Sequence, residues 1–219
     1  MVIFFDLVGT LFSLDRVHEV FRRHSVPEDV LPFWFARLLH VSMASTLSGR
    51  YAPFLRCGES AMRQVLALRG QPDAVLPETL DTMQRLDPWP DTRECLIALR
   101  ERGHTLVALS NAHPDMERSL IGGAGLASLF TLVLSSDEAG LAKPHPAPYR
   151  MALDRLALSA PEACMVAAHA CDVQGAAAVG LRTVWVSRVE KAWSFPGEPP
   201  GAVVAALGEI PAVLDRGRG

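Results

Sequence analysis

The stretch that decides the fold is VIFFDLVGT, residues 2–10. Val2–Phe5 is a short, continuous apolar run that ends at Asp6 and is followed by the turn-forming Gly9. A run without polar alternation suits a strand buried on both faces, as in the centre of a parallel sheet. We therefore predict that Val2–Phe5 is a central parallel strand, with Asp6 at its carboxyl end.

Further along the chain, apolar runs and helical stretches alternate about every twenty to thirty residues. This alternation is typical of a parallel α/β sheet with helices on both faces, so the predicted fold class is a doubly wound α/β sheet. The predicted strands are His104–Ser110, Leu129–Ser135, Cys164–Ala168 and Leu181–Val186, and the predicted helices are Asp91–Arg102, Asp115–Gly122, Pro146–Leu156 and Asp172–Val179.

The interval 13–88 breaks this alternation, because it shows only helical periodicity. Apolar residues recur there at spacings of three and four, for example around Trp34. We predict that 13–88 is a helical cap inserted after the first strand, and that 1–12 and 89–219 form the core domain. The carboxyl end of the first strand then lies beneath the cap, at the edge where open parallel sheets bind ligands.

Composition narrows the function classes. The 219 residues are 49% hydrophobic, which excludes a disordered chain, and the net charge of −3 with only two lysines argues against a nucleic-acid partner. We find no signal peptide and no apolar segment near the ~18 residues of a membrane span, so no membrane partner is expected. The four cysteines lack CxxC spacing. They are expected to be reduced thiols, which favours a cytoplasmic location.

Polar side chains follow several predicted strands at their carboxyl ends. A parallel sheet brings such ends to one edge, so a carboxylate, a hydroxyl, an amide, an ammonium group and a second carboxylate would share one crevice. A covalent carboxylate nucleophile needs this set. Each cluster alone is explained by a turn, a helix cap or a surface charge, whereas their common placement favours a site. The clusters are Asp6–Thr10, Ser110–Asn111, Lys143–Pro144 with Tyr149, and His169–Asp172.

The order of these motifs resembles the haloacid dehalogenase superfamily over nearly the whole chain, and most closely its 2-haloacid dehalogenase (type II) branch. The resemblance implies a Rossmann-like core with a cap, an ester intermediate on an Asp, no cofactor and a small anionic substrate. The branch is often dimeric, so a homodimer is a further expectation. The matching motifs are DLVGTL at 6–11, Ser110-Asn111, Lys143-Pro144 with Tyr149, and GRYAPF at 49–54.

The resemblance also implies roles for individual residues. Asp6 is expected to displace halide from the carbon that bears it, after which water hydrolyses the ester to a 2-hydroxy acid. Because burial raises a carboxyl pKa, the Lys143 ammonium is expected to help keep Asp6 ionised. The expected catalytic residues are Asp6, Thr10, Ser110, Lys143 and Asp172, and those expected to bind substrate are Leu7 (through the backbone N–H groups near it), Phe35, Asn111, Tyr149 and His169. Tyr149 is also expected to help orient Lys143 or Asp172.

Val8 and Ala168 distinguish the chain from phosphatases of the superfamily, which carry an acid and a metal ligand, both Asp, at these positions. With Lys143 beside Asp6 and Asp172, no metal site is expected; weak Mg²⁺ binding would accompany only a phosphatase activity. The alternatives to a dehalogenase are therefore a phosphatase of small phosphoesters and a non-catalytic protein that binds an anion.

Phe35, Ala167 and His169 depart from the branch, which has a halide-binding Arg, a Ser and an Asn at these positions. Loss of one charge-assisted donor typically costs about 10²–10³ in rate. We hypothesise that His169 compensates by hydrogen bonding to the water or the substrate. The alternative is a core histidine packed beneath the cap.

Overall fold

The computed structural model describes residues 1–216, which contain a six-stranded sheet in the order β3-β2-β1-β4-β5-β6. All neighbouring strands are parallel, so the predicted fold class is confirmed. The order runs in opposite directions on the two sides of β1, and open sheets bind ligands at such a switch point. The strands are β1 (Val2–Phe5), β2 (Thr105–Ser110), β3 (Leu132–Ser135), β4 (Ala163–Ala167), β5 (Arg182–Val186) and β6 (Ala202–Val204).

The α-helices within the described residues fall into two groups. Between β1 and β2, the chain forms the helical segment α1–α4, followed by α5; the later helices alternate with the strands as predicted. The helices are α1 (Asp15–Arg23), α2 (Val30–Leu47), α3 (Phe54–Leu68), α4 (Leu76–Thr82), α5 (Thr92–Glu101), α6 (Pro114–Gly123), α7 (Pro146–Arg155), α8 (Ala170–Val179) and α9 (Ile210–Arg216).

Strand β1 is buried on both faces, which explains its continuous apolar sequence. Ile3 and Phe5 join the apolar cluster on one side of the sheet, and Phe4 joins the cluster on the other side. All three are fully buried. Burial of one such side chain contributes about 1.5–3 kcal/mol, so the prediction of a central strand at Val2–Phe5 has a direct energetic basis.

Helix α2 corrects the expectation that no apolar segment is long enough to span a membrane. It is 18 residues long with a mean hydropathy of 1.2, so it has the length and composition of a membrane span, although 39% of its residues are buried. Trp34 packs in the apolar core, and its indole Nε1 donates to the carbonyl of Gly58 in α3 at 2.9 Å. A core helix of a soluble protein can have the same length and hydropathy as a membrane span, so these two properties of α2 are weak evidence for a membrane.

Candidate active site

Asp6 lies where β1 ends, and two side chains hold its carboxylate. Thr10 Oγ1 donates to Asp6 Oδ2 at 2.9 Å, and Lys143 Nζ lies 3.1 Å from Oδ1. The intervening turn requires Gly9, whose φ of +82° lies in the region that favours glycine. Thr10 in turn accepts a hydrogen bond from the Ala168 N–H at 2.8 Å, so β1 and the end of β4 fix its rotamer together.

The Lys143 ammonium group is surrounded by three acceptors. Besides Asp6, it donates to Asp172 Oδ2 at 2.5 Å and to the Leu109 carbonyl at 2.6 Å. Burial lowers the pKa of Lys143, but the nearby carboxylates of Asp172 and Asp6 outweigh burial and raise it. Lys143 is therefore a fixed positive charge between the two carboxylates, in the place where a bridging cation would otherwise be needed.

Asn111 holds the backbone of Lys143 in place. Its Oδ1 accepts from the Lys143 N–H at 2.8 Å, and its Nδ2 donates to the Lys143 carbonyl at 3.2 Å. Next to it, Ser110 Oγ accepts from the Ala112 N–H at 3.0 Å. The Ser-Asn pair at the end of β2 thus positions its own turn and the lysine.

Asp172 lies in the first turn of α8, and Tyr149 supports it from behind. The Tyr149 hydroxyl lies 2.6 Å from Asp172 Oδ1, to which it donates. Burial raises the pKa of Asp172, and the Lys143 ammonium partly counters that rise. Burial also raises the pKa of Tyr149 well above its usual range, so its hydroxyl stays protonated as a donor.

His169 connects the Asp6 turn to the loop after β5. Its Nε2 lies 3.2 Å from the Val8 carbonyl, and its Nδ1 lies 3.3 Å from Glu190 Oε1. The Val8 carbonyl and an ionised Glu190 both accept, so an imidazolium, which donates from both ring nitrogens, would satisfy both contacts. Burial lowers the pKa of His169, but the Glu190 hydrogen bond and the charge of Asp6 outweigh burial and raise it.

These groups surround a cavity of about 30 Å³, which we call the inner cavity. The structure brings seven of the ten predicted site residues to its wall. The rest of the wall is largely apolar, and of these apolar residues only Phe35 was assigned to the site from the sequence. The lining residues are Asp6, Ser110, Asn111, Lys143, His169 and Asp172, with Val8, Phe35, Leu39, Phe54 and Cys171.

Three predicted site residues do not line the inner cavity. Thr10 and Tyr149 are fully buried and hydrogen-bond to Asp6 and Asp172, so Tyr149 lies where it can orient Asp172, and its contact with substrate stays a prediction. Leu7 is also fully buried, and the nearby Gly9 N–H donates to the Phe12 carbonyl at 2.8 Å. The Gly9 N–H therefore serves the turn, and the anion-binding role of the other backbone N–H groups near Leu7 stays a prediction.

Sequence reasoning missed Glu190. Its Oε1 faces His169, and its Oε2 accepts from the Ala170 N–H at 2.8 Å, at the N-terminus of α8. A carboxylate is favourable at a helix N-terminus because the first backbone N–H groups have no partner within the helix. In the sequence Glu190 is one acidic residue in a loop, and nothing there indicates that contact.

The arrangement suits covalent catalysis by a carboxylate. Within residues 1–216, no group of three or more His, Cys, Asp or Glu side chains could hold a metal ion. The carboxylate at the end of β1 instead faces an ammonium group, a hydroxyl and a second carboxylate. Such a fold and site define a class of α/β hydrolases that use an aspartate nucleophile.

Comparisons with known proteins agree with this class. The chain belongs to the haloacid dehalogenase-like hydrolases, whose family profile matches residues 1–180. It is 31% identical to (S)-2-haloacid dehalogenase 1 of Pseudomonas sp. (strain CBS-3), over 97% of this chain and 95% of that protein. The solved L-2-haloacid dehalogenase of Xanthobacter autotrophicus is 30% identical, with a TM-score of 0.86 over 100% of this chain and 99% of that one.

One relative over part of the chain has a different activity. The chain is 42% identical to the phosphoserine phosphatase of Thermus thermophilus, over 60% of this chain and 51% of that protein. This chain therefore covers about half of that phosphatase, and the match is shorter than those to the dehalogenases.

Proposed function

We propose that the protein hydrolyses the carbon–halogen bond of small (S)-2-haloacids without a metal cofactor, through an ester on Asp6. The observation that supports this proposal is the combination of a cation, Lys143, and an apolar side chain, Val8, near Asp6. Lys143 supplies a positive charge 3.1 Å from Oδ1, and Val8 presents an apolar side chain to the inner cavity. Halide departs without a proton, so a site with no acid at Val8 suits it.

In the first step, an Asp6 carboxylate oxygen attacks C2, a C–O bond forms and the C–halogen bond breaks, releasing halide. The ammonium of Lys143 and the hydroxyl of Thr10 each bind one oxygen of the Asp6 carboxylate. The carboxylate is therefore fixed in orientation, and C2 of the substrate can approach it from few directions. Fixed orientation of reacting groups contributes about 7–11 kcal/mol at best. Positioning is therefore the main contribution of these residues.

In the second step, water attacks the Asp6 ester carbonyl, which restores the carboxylate and gives a 2-hydroxy acid and a proton. Asp172 is our candidate for orienting that water, because it lines the inner cavity and its carboxylate is held by Lys143 and Tyr149. A carboxylate within hydrogen-bond reach of the water is the geometry that general-base catalysis needs.

Charge balance assigns a role to His169. Asp6 and Asp172 together with Lys143 carry a net charge of −1, and the substrate brings a further carboxylate. The His169 imidazolium on the cavity wall offsets that charge, while its partner Glu190 lies farther out and is 26% exposed. We propose that His169 supplies the positive charge for the substrate or the departing halide, with Ser110 and Asn111 as neutral donors.

The alternative function is a phosphatase of small phosphoesters. The similarity to a phosphoserine phosphatase favours it. Its difficulty lies at Val8, because an alkoxide leaving group needs a proton that an apolar side chain cannot give. A phosphatase would also need Mg²⁺ to neutralise the phosphate dianion, so chelator separates the two activities.

We further propose that the helical segment α1–α4 acts as the cap, with boundaries at residues 13 and 88. Phe35 and Leu39 of α2 already reach the wall of the inner cavity. A homodimer is a further proposal, and it rests on the resemblance to the dehalogenase branch alone. A cytoplasmic location is supported by the free thiols at Cys57, Cys95, Cys164 and Cys171.

The experiment is halide release from each enantiomer of 2-chloropropionate with chelator present, comparing the natural protein with Asp6→Asn. Asp154→Asn is the matched control, because Asp154 is exposed on α7. We expect release from the (S) enantiomer that chelator does not affect, that Asp6→Asn abolishes, and that Asp154→Asn retains. A mass increase on Asp6 in a rapid quench would identify the ester.

Two results would reject the dehalogenase. One is phosphoester hydrolysis that requires Mg²⁺ while both chloropropionates remain intact, which would establish the phosphatase. The other is binding of small carboxylates with no turnover of either substrate class, which would indicate a non-catalytic anion-binding protein.

A further inference from the structure

A second, larger cavity of about 780 Å³ lies next to the reactive groups. We call it the outer cavity. Phe35, Leu39 and His169 line both cavities, so these side chains form the wall between them. The Phe35 and His169 rings are stacked, with centroids 5.0 Å apart and planes inclined by 27°. This pair is therefore the common boundary of the two cavities.

The inner cavity alone does not hold a substrate. A volume of about 30 Å³ has room for about two water molecules. Even the smallest 2-haloacids are larger, so a substrate requires the wall of Phe35 and Leu39 to yield. Because the reactive groups are on the inner side, any part of the substrate that the inner cavity cannot hold extends towards the outer one.

The outer cavity is apolar on the side of α2. Leu31, Pro32, Ala36 and Leu39 contribute to it from that helix, next to Phe35. The rest of its lining is polar and carries both signs of charge, with Asp15, Glu28, Asp29 and Glu190 beside Arg188 and His18. The apolar side chains of α2 suit a hydrocarbon chain, since burial of each methylene contributes a factor of about four in affinity.

We propose that the outer cavity binds the hydrocarbon chain of extended 2-haloacids, and that the Phe35 ring sets the length of chain that is accepted. Once the side chains of Phe35 and Leu39 have moved, the carboxylate and the carbon–halogen bond lie beside Asp6. This proposal rests on the proposed function in one respect, that the substrate carries a halogen. Recognition of the carboxylate and of the hydrocarbon chain does not require a halogen.

The test compares Phe35→Ala with the natural protein on (S)-2-chloropropionate and (S)-2-chlorohexanoate. Three additional methylenes give an expected gain of about 10- to 60-fold in the ratio of kcat/KM for the long over the short substrate. Phe33→Ala is the matched control, because Phe33 is 40% exposed on the same helix and its ring packs against Arg69. That variant is expected to leave the ratio unchanged.

A second measurement does not depend on dehalogenation. Calorimetry with propanoate and hexanoate, which carry no halogen, reports the chain subsite directly. We expect Phe35→Ala to bind hexanoate at least about tenfold more tightly relative to propanoate than the natural protein does. If no halide is released from any substrate but this ratio rises, the proposed function fails and the subsite stands.

Unchanged ratios in both measurements would overturn the proposal. An equal gain for short and long substrates would also overturn it, because the outer cavity would then be only an entrance. If Phe35→Ala does not fold, Phe35→Leu replaces it, because leucine keeps an apolar side chain. The same long-to-short ratios of kcat/KM and of affinity are then measured, and a smaller rise is expected.

Discussion

The nitrogen of Lys143 lies 2.5 Å from Asp172 Oδ2 and 3.1 Å from Asp6 Oδ1, so one ammonium group holds the proposed nucleophile and the proposed base together. The lysine side chain is 2% exposed. In such a dry environment the two carboxylates could not both stay ionised without it. The two ion pairs of Lys143 therefore keep both carboxylates, Asp6 and Asp172, ionised.

Lys143→Met is expected to lower the rate of halide release at pH 7 by at least about 10²–10³. Loss of the cation removes the charge that lowers the pKa of Asp172, so that pKa rises and the acid limb of the pH–rate profile moves to higher pH. Removal of one partner of a buried ion pair also costs about 3–5 kcal/mol of unfolding free energy. Both effects are measurable, by a pH–rate profile and by urea unfolding.

Lys191→Met is the matched control, since Lys191 is the other lysine and is exposed. It should leave the rate, the profile and the stability unchanged. An acid limb that stays in place in Lys143→Met would show that the ammonium does not support the ionised carboxylates.

Tyr149→Phe is expected to reduce kcat by about 10- to 100-fold with little change in packing. The variant removes a hydrogen bond that lowers the pKa of Asp172, so that pKa rises and the acid limb moves upward. KM should change less than kcat, because Tyr149 does not line the inner cavity.

Tyr51→Phe is the control for Tyr149→Phe. It removes an equivalent hydroxyl-to-carboxylate bond, that of Tyr51 to Asp137, away from the inner cavity. Any stability loss in this variant should leave the pH–rate profile in place. A similar profile for both Tyr variants and the natural protein would indicate that Asp172 is not the base.

The site was predictable from the sequence because topology determined it. Once β1 is a buried parallel strand, the residues after β1, β2 and β4 must meet at one edge, whatever their separation in sequence. That reasoning correctly brought Asp6, Ser110 and Asp172 to the inner cavity. It concerns only where strands end, and needs no knowledge of side-chain direction.

The direction of individual side chains was not predictable. The sequence left open whether Tyr149 orients Lys143 or Asp172; its hydroxyl contacts Asp172, because its helix packs on α8. Glu190 was missed, since its contact with His169 depends on the course of a loop. Strand β6 was missed for a related reason: it is three residues long and follows a Pro/Gly-rich loop.

Glu190→Gln tests the imidazolium of His169 through stability. The pKa of His169 is raised in the folded protein, so the pair stabilises the fold fully below the unfolded pKa of about 6.5. That contribution is lost as the pH rises through the folded value. We expect the natural protein to be about 1.5–3 kcal/mol more stable than Glu190→Gln near pH 6, with a smaller difference near pH 9.

Glu198→Gln is the control for this comparison, because Glu198 is exposed in the same loop. Urea unfolding at the two pH values gives the stability differences, and the ¹⁵N shifts of the His169 ring give its protonation state directly. A difference that does not depend on pH would show that Glu190 contributes without a charge on His169.

Glu117 changes stability with pH in the same direction as His169, but as a cost that grows with rising pH rather than as a contribution that is lost. It is buried in α6, its Oε1 has no hydrogen-bond partner within the described residues, and burial raises its pKa to about 9. The folded state keeps the carboxyl neutral, whereas the unfolded chain ionises it above about pH 4.5. Glu117 therefore costs stability increasingly as the pH rises from about 4.5 towards 9.

Glu117→Gln removes the ionisable group and keeps the shape of the neutral carboxyl. We expect it to raise the unfolding free energy by about 2–3 kcal/mol at pH 7 and by much less at pH 5, because each unit of pKa shift corresponds to about 1.4 kcal/mol. Glu94→Gln, on the exposed side of α5, should show no such change between the two pH values. Equal effects of Glu117→Gln at both pH values would mean that the buried carboxyl is already ionised in the folded protein, with Lys143 as the nearest compensating charge.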